Sequence, residues 1–411
     1  MSRPHALESG TPHEGFGHDV MGPILAGMLW RLQEFLSSPQ SGSKSTAFFC
    51  ARGGLVLRRG LELLAAKVGL EARIEHVDFM VSRIAAARVA IQRDPHAVGP
   101  LIERELEGRS CAQAANAFAG CDMGADEPWD APFTMRRFTE LMETTDLGRR
   151  VRAENDRQAE LLRTHINALR ASHPDVILCD TGVFGSIGRY LRVGVPEVNW
   201  TSALLFRANY KRMPTPHFGH TVGMVSQSDR YVPWQPATAL LLYWPLMESM
   251  LEPDVPSVTC YHEDPSLGVV SNLQLPGWQD RLIPVPGSVL AGAFHYLAGL
   301  SPRSIATLAH NGQVAWKRLR RMIVFPSVAD VPLLAVGRRG LDFGADEFAC
   351  FDGQLDTGPD SLRNRFLKAR SSMWPEGELR KQFPRMATPL QAASELGRLA
   401  RAVYRAARTS R

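Results

Sequence analysis

Apolar residues along the chain fall into short continuous runs separated by helical patterns, rather than into long alternating stretches. The first clear period is residues 21–35, where Ile24, Leu25, Met28, Leu32 and Phe35 recur at helical spacing. A Ser/Gly-rich connection over 37–45 follows. Residues 46–50 form a strand-like apolar run, the turn Ala51-Arg52-Gly53-Gly54 comes next, and residues 55–68 return to helical spacing with Gly69 as a C-cap. A second strand is predicted over 73–81. Strand, loop, helix and strand in this order open a parallel sheet, so the predicted class is α/β.

The same unit recurs later. His173-Pro174-Asp175 marks a turn and residues 176–179 read as a buried strand. A Gly-rich loop over 180–185, a helix from Ser186 to Leu191 and a strand over 195–200 complete it. Between the two units, residues 94–172 are mostly helical and highly charged, which predicts a helical insertion. Residues 209–268 are rich in Pro and aromatic side chains and read as loops, either an acceptor-binding surface or a surface elaboration. Residues 1–18 are expected to be disordered, 19–265 to form the α/β domain, and 266–411 to form a loop-rich and helical C-terminal region. Thr388 and Pro389 suit the first positions of its last helix. Arg398, Arg401, Arg405, Arg408 and Arg411 then recur with no acid among them. That helix is either docked and solvated, or in peripheral contact with an anionic membrane surface.

Composition narrows the partners. A net charge of +5 in 411 residues is mildly basic and favours an anionic ligand, and no nucleic-acid module is evident. The six cysteines form no C-x-x-C pair, which points to a reduced compartment. The longest apolar stretch, 237–247, contains Pro245 and is too short to span a bilayer. The N-terminus lacks the apolar region of a signal peptide, so the expected location is the cytoplasm.

The chemistry lies in the two loops. A strand feeding a helix through a Gly-rich turn aims unpaired N–H groups at one point, and phosphate is the natural occupant. In the first loop Arg52 offers a bidentate cation, while Gly53 and Gly54 allow close backbone approach. In the second, Gly182 and Gly185 permit the turn, Thr181 and Ser186 offer hydroxyls, and Val183 and Phe184 complete the loop. Asp180, at the strand's carboxyl end, suits sugar hydroxyls or a magnesium ion. Ser82 and Arg83 follow the second strand, where Arg83 either faces the same edge or pairs with Asp78 or Glu75.

These motifs resemble those of type I phosphoribosyltransferases, with residues 48–54 as the pyrophosphate loop and 176–186 as the loop for the 5-phosphate and ribose. That family has two adjacent acids in the second loop; here Asp180 is followed by Thr181. The chain is also similar, over residues 20–265, to the non-phosphatase portion of bacterial polysaccharide-assembly proteins labelled predicted haloacid-dehalogenase-type hydrolases. Gly22-Pro23, Arg52-Gly53-Gly54, Ser82-Arg83 and Asp180 to Ser186 carry this likeness. No Asp-x-Asp phosphatase loop is present. The resemblance implies a pentosyltransferase of polysaccharide biosynthesis. It would use magnesium to move 5-phosphoribose from phosphoribosyl pyrophosphate to a glycan or small acceptor, and a separate phosphatase would follow. Asp180, Arg52 and Arg83 would be catalytic, with Asp180 also on the metal. Two alternatives remain: a non-catalytic metabolite-binding protein, and a nucleotide or phosphate-ester hydrolase. Glu248, Glu252, His217 and His220 are candidates for a general base.

Overall fold

The computed structural model describes residues 10–38, 44–124, 127–210, 213, 218–253, 255–335, 338–340, 343, 348–350 and 361–409. At its centre is a five-stranded sheet: β1 (Ser45–Cys50), β2 (Glu75–Phe79), β3 (Asp175–Asp180), β4 (Asn199–Phe206) and β5 (Thr221–Ser226). All four neighbouring pairs are parallel, and the order is β2-β1-β3-β4-β5. The expected α/β class and parallel sheet are therefore present.

Helices cover both faces, which explains why β1 is buried at every position and reads as an unbroken apolar run. The edge strand β2, by contrast, carries Glu75, His76 and Asp78. Successive side chains of β1 and β3 alternate between two cores. Ala47, Phe49, Ile177 and Cys179 join one; Phe48, Cys50, Val176 and Leu178 join the other. The first core is closed by α2 (Gly22–Leu36), α3 (Gly53–Val68), α11 (Val289–Ala298) and α12 (Ile305–Val324). It runs from Phe16 to Trp374, so helices from both sides of residue 265 share it. The second is closed by α4 (Arg83–Arg93), α8 (Asp146–Leu169) and α9 (Ser186–Gly194), with α4 packed against both of the others. The helical insertion supplies α8 together with α5 (Pro95–Glu105), α6 (Cys111–Ala119) and α7 (Met135–Thr144).

Three expectations change. Residues 10–18, expected to be disordered, are ordered. Thr11 caps α1 (Pro12–Phe16), a π-helical turn continues it, and Phe16 is buried. The fourth strand begins at Asn199 rather than at 195, because Val195 caps α9 and Pro196 has no N–H to give a ladder. The stretch 209–268, read as loops, contributes β5, a 3-10 turn (Pro236–Leu242), α10 (Pro245–Leu251) and the antiparallel pair β6 (Tyr261–Asp264) and β7 (Gly268–Ser271). Pro at the first turn of α10 begins that helix rather than breaking an apolar run.

A short pair, β8 (Arg338–Gly340) and β9 (Phe348–Cys350), follows α13 (Asp330–Leu334). The chain then forms α14 (Leu362–Ser371), α15 (Pro375–Gln382) and α16 (Ala387–Thr409). Thr388 lies inside α16, and its hydroxyl accepts a hydrogen bond from Arg380. No described helix is long and apolar enough to cross a membrane. Cys50, Cys111, Cys121, Cys179 and Cys260 carry free thiols.

Candidate functional site

Strand order decides where a site can form. The connection from β1 runs through α3 to β2 on one side. That from β3 runs through α9 to β4 on the other. The sheet's order therefore reverses between β1 and β3, and a crevice opens beyond their carboxyl ends. The two sequence-predicted loops leave the sheet at this point. A cavity of about 320 Å³ lies there, lined by Arg52, Ser82, Arg83 and every residue from Asp180 to Ser186.

Gly53 and Gly54 are the exceptions: they do not line it. A Cβ on Gly53 would lie 1.9 Å from Thr181 Oγ1, and one on Gly54 would lie 2.6 Å from the Cys179 carbonyl oxygen. Their lack of side chain serves the approach of the two loops to each other rather than the approach of a ligand. Arg52 carries the local strain, with φ 69° and ψ −100° in a non-glycine residue. Such a conformation costs on the order of 1–3 kcal/mol and concentrates at functional sites. The Arg52 guanidinium pairs with Glu252 on the cavity wall, Nη2 to Oε2 at 3.1 Å.

Arg83 does not pair with Asp78, which is held by Arg58 at 2.8 Å. It pairs instead with Glu105 at 2.9 Å, at the end of α5. The other oxygen of Glu105 accepts a hydrogen bond from Ser186 Oγ at 3.2 Å. Only 6% of the Glu105 side chain is exposed, so one buried carboxylate joins the N-termini of α4 and α9. Ser82 serves the fold as well as the wall. It caps α4 by accepting from the Ala85 N–H and donates to the Val258 carbonyl at 2.6 Å.

Three helices, α3, α4 and α9, start at this edge, and none has an acid in its first turn. Their positive ends favour an anion at the cavity. Gly185, at φ +74°, turns the chain into α9 in a conformation natural to glycine. The Asp180 carboxylate lies over Gly182, where a Cβ would come within 2.8 Å of Oδ2. Cys50 also lines the cavity, but burial and then the charge of Asp180 push its thiol well up, so it stays protonated.

Apolar and aromatic residues also line it: Leu241, Leu242, Trp244, Pro245 and Tyr210. Phe184 meets the Tyr210 and Phe218 rings edge-on. Among the general-base candidates, Glu248 and Glu252 line the cavity, and Trp244 Nε1 donates to Glu248 at 2.7 Å. His220 is exposed and does not line it. His217 lies outside the described residues. Ser202 was not foreseen; it lines the cavity from β4, and its buried hydroxyl has no hydrogen-bond partner among the described residues. Glu105 was not foreseen either, because an acid in a charged helix carries no signal of what it meets across the fold.

Among the described residues, no three His, Cys, Asp or Glu side chains gather as a metal site. Asp180 is a hard oxygen donor suited to an ion that brings its remaining ligands with a phosphorylated substrate, as magnesium does. Comparison with protein-family models gives no match, and comparison with curated proteins gives none either.

Proposed function

We propose that the cavity at the β1/β3 crevice binds phosphoribosyl pyrophosphate and transfers 5-phosphoribose to a hydroxyl or amine acceptor, releasing pyrophosphate. One observation carries the reading. The two phosphate-type loops open into a single cavity, at a sheet edge where three helix N-termini begin. A donor with phosphate at both ends matches two cradles better than a mononucleotide does.

In this reading the Asp180–Ser186 loop and the start of α9 hold the 5-phosphate and ribose. Arg52 and Arg83 face the pyrophosphate. Asp180 would be the residue to hold magnesium, which would supply further charge neutralisation. The C1–O bond to pyrophosphate breaks, the acceptor's oxygen or nitrogen bonds to C1, and the acceptor's proton passes to a base. We assign that last role to Glu252, which lines the cavity beside Arg52. Cations fixed beforehand stabilise the charge that develops on the leaving group. The aromatic wall of Tyr210 and Trp244 is the surface left for the acceptor.

A binding role without turnover is the second reading, favoured by the single acid of the second loop and by the carboxylates that already engage Arg52 and Arg83. Thermal unfolding with magnesium tests what both share. Phosphoribosyl pyrophosphate at a hundred times its dissociation constant should add about 2.7 kcal/mol, a rise of a few degrees. Arg52→Ala and Asp180→Asn should each abolish the rise. A shift with ATP or a sugar nucleotide, and none with phosphoribosyl pyrophosphate, would overturn the proposal. Release of pyrophosphate on adding acceptor separates transfer from binding.

A further inference from the structure

The cavity is lined by the sheet itself as well as by the two loops. Leu178 on β3, with Ser202 and Leu204 on β4, contributes from the strands. Leu178 and Ser202 are register partners, and both lie against Gly188 of α9. Ser202 is 1% exposed, and its hydroxyl has no hydrogen-bond partner among the described residues.

Packing alone gives that hydroxyl no purpose. Trp200, Ala203 and Leu204 around it on the strand are buried, and alanine would fill nearly the same volume without leaving a polar group unmade. The helix above leaves the hydroxyl uncovered. A Cβ on Gly188 would lie 2.3 Å from Ser202 Oγ, and Gly188 lines the cavity too. Ser202 therefore lies beside the first turn of α9, whose leading amides have no partner within the helix. Gly185, at the N-cap, makes no side-chain cap.

We infer that Ser202 is a phosphate-binding residue, its hydroxyl donating to an oxygen of a phosphate monoester seated at the start of α9. The inference rests on the reading of residues 180–186 as the 5-phosphate cradle, and adds a residue that neither loop contains. A donor on a strand is held more stiffly than one on a loop. Thr221 supplies the control. It is the register partner of Ser202 on β5, 3% exposed, and its hydroxyl also lacks a partner among the described residues. It does not line the cavity, and its β-branched body suits a strand whatever the hydroxyl does.

The test is calorimetric titration of the full chain with ribose 5-phosphate, and with ribose as the phosphate-free probe. The chain should bind the first and not the second. Ser202→Ala should weaken ribose 5-phosphate binding roughly tenfold, the weight of one hydrogen bond to a charged group. The ligand-free melting temperature of that variant should be no lower than the parent's. Thr221→Val should bind as the parent does. Unchanged affinity in Ser202→Ala would overturn the inference, as would failure of the parent to bind ribose 5-phosphate. An equal loss in Thr221→Val would overturn it by assigning the effect to strand packing. A lowered melting temperature in Ser202→Ala would do so by making the hydroxyl structural. Ribose 5-phosphate binding that Ser202→Ala weakens, with no pyrophosphate released from phosphoribosyl pyrophosphate and acceptor, would keep this inference and remove transfer.

Discussion

The two faces of the sheet hold the loops at its edge by different means. On the face closed by α2, α3, α11 and α12, helices and strands approach to backbone contact beside the Arg52 loop, and the buried polar groups, among them Glu376, Gln391 and Glu395, lie away from it at α15 and α16. On the face closed by α4, α8 and α9, polar side chains are buried among the apolar ones. Arg88 donates to the carbonyls of Ala117 and Thr259, Gln158 bonds both ways with the backbone of Tyr261, and His165 bonds to Val269. These groups stitch the insertion to the chain around residues 258–271. The first face sets the Arg52 loop by shape; the second sets Arg83 and Ser186 by hydrogen bonds. Shape is insensitive to solution conditions, whereas buried polar groups respond to pH.

That contrast can be broken from either side. The largest effect should come from Gly54→Ala, whose new methyl meets backbone at Cys179 and Phe49 that no rotamer can clear. Urea unfolding should show a loss of about 3 kcal/mol at every pH. Gly53→Ala should cost less, since its contact is the Thr181 side chain, and Thr181→Ala should restore part of the loss.

On the other face acid should act through a histidine. Burial lowers the pKa of His165 from its ordinary 6.5 to about 4, partly offset by its hydrogen bond to the Val269 carbonyl. The unfolded chain therefore takes up a proton that the folded chain refuses. Stability is complete above pH 6.5, falls as pH drops toward 4, and loses nothing more from this group below that. The loss amounts to roughly 3 kcal/mol. In His165→Asn this part of the acid sensitivity should vanish from urea titrations at stepped pH. An unchanged slope would place the sensitivity elsewhere.

The smallest effect sharpens the comparison at the site. Glu105→Gln keeps the size of the side chain but removes its charge from between Arg83 and Ser186. Affinity for the anionic ligand, read by the thermal shift, should rise by up to about tenfold, because a negative charge leaves the neighbourhood of Arg83. Equal affinity in this variant would make Glu105 a structural residue only.

Much of the fold was legible where one strand and one helix are joined by a short turn. The runs at 46–50 and 176–179, with the helical spacing after each, located β1, α3, β3 and α9 to within a few residues. Sheet order was not legible. It depends on which strands become neighbours across the insertion, and no local pattern encodes that. β5 escaped because Thr221–Ser226 is an edge strand, half-buried and interrupted by Gly223. At the site, Arg52, Arg83 and the 180–186 loop announce themselves by residue type next to a strand end. The reason for Gly53 and Gly54 was different from the one expected, since only the folded chain shows Thr181 and Cys179 against them. Ser202, Glu105 and the Arg52–Glu252 pair arise from tertiary contact alone.

The parallel pairing of β1 with β3 sets a timetable for synthesis. Asp175 follows Cys50 by 125 positions, so one side of the central strand must wait for its partner to be made. At ordinary elongation rates the wait is roughly 6–25 s. Throughout it, Ser45–Cys50, with two phenylalanines, has one pairing edge open. An open apolar edge is a template for the wrong chain. Nascent chains stalled before residue 175 should therefore aggregate through β1, and the hazard should fall only in chains long enough to include β4, which covers the far edge of β3.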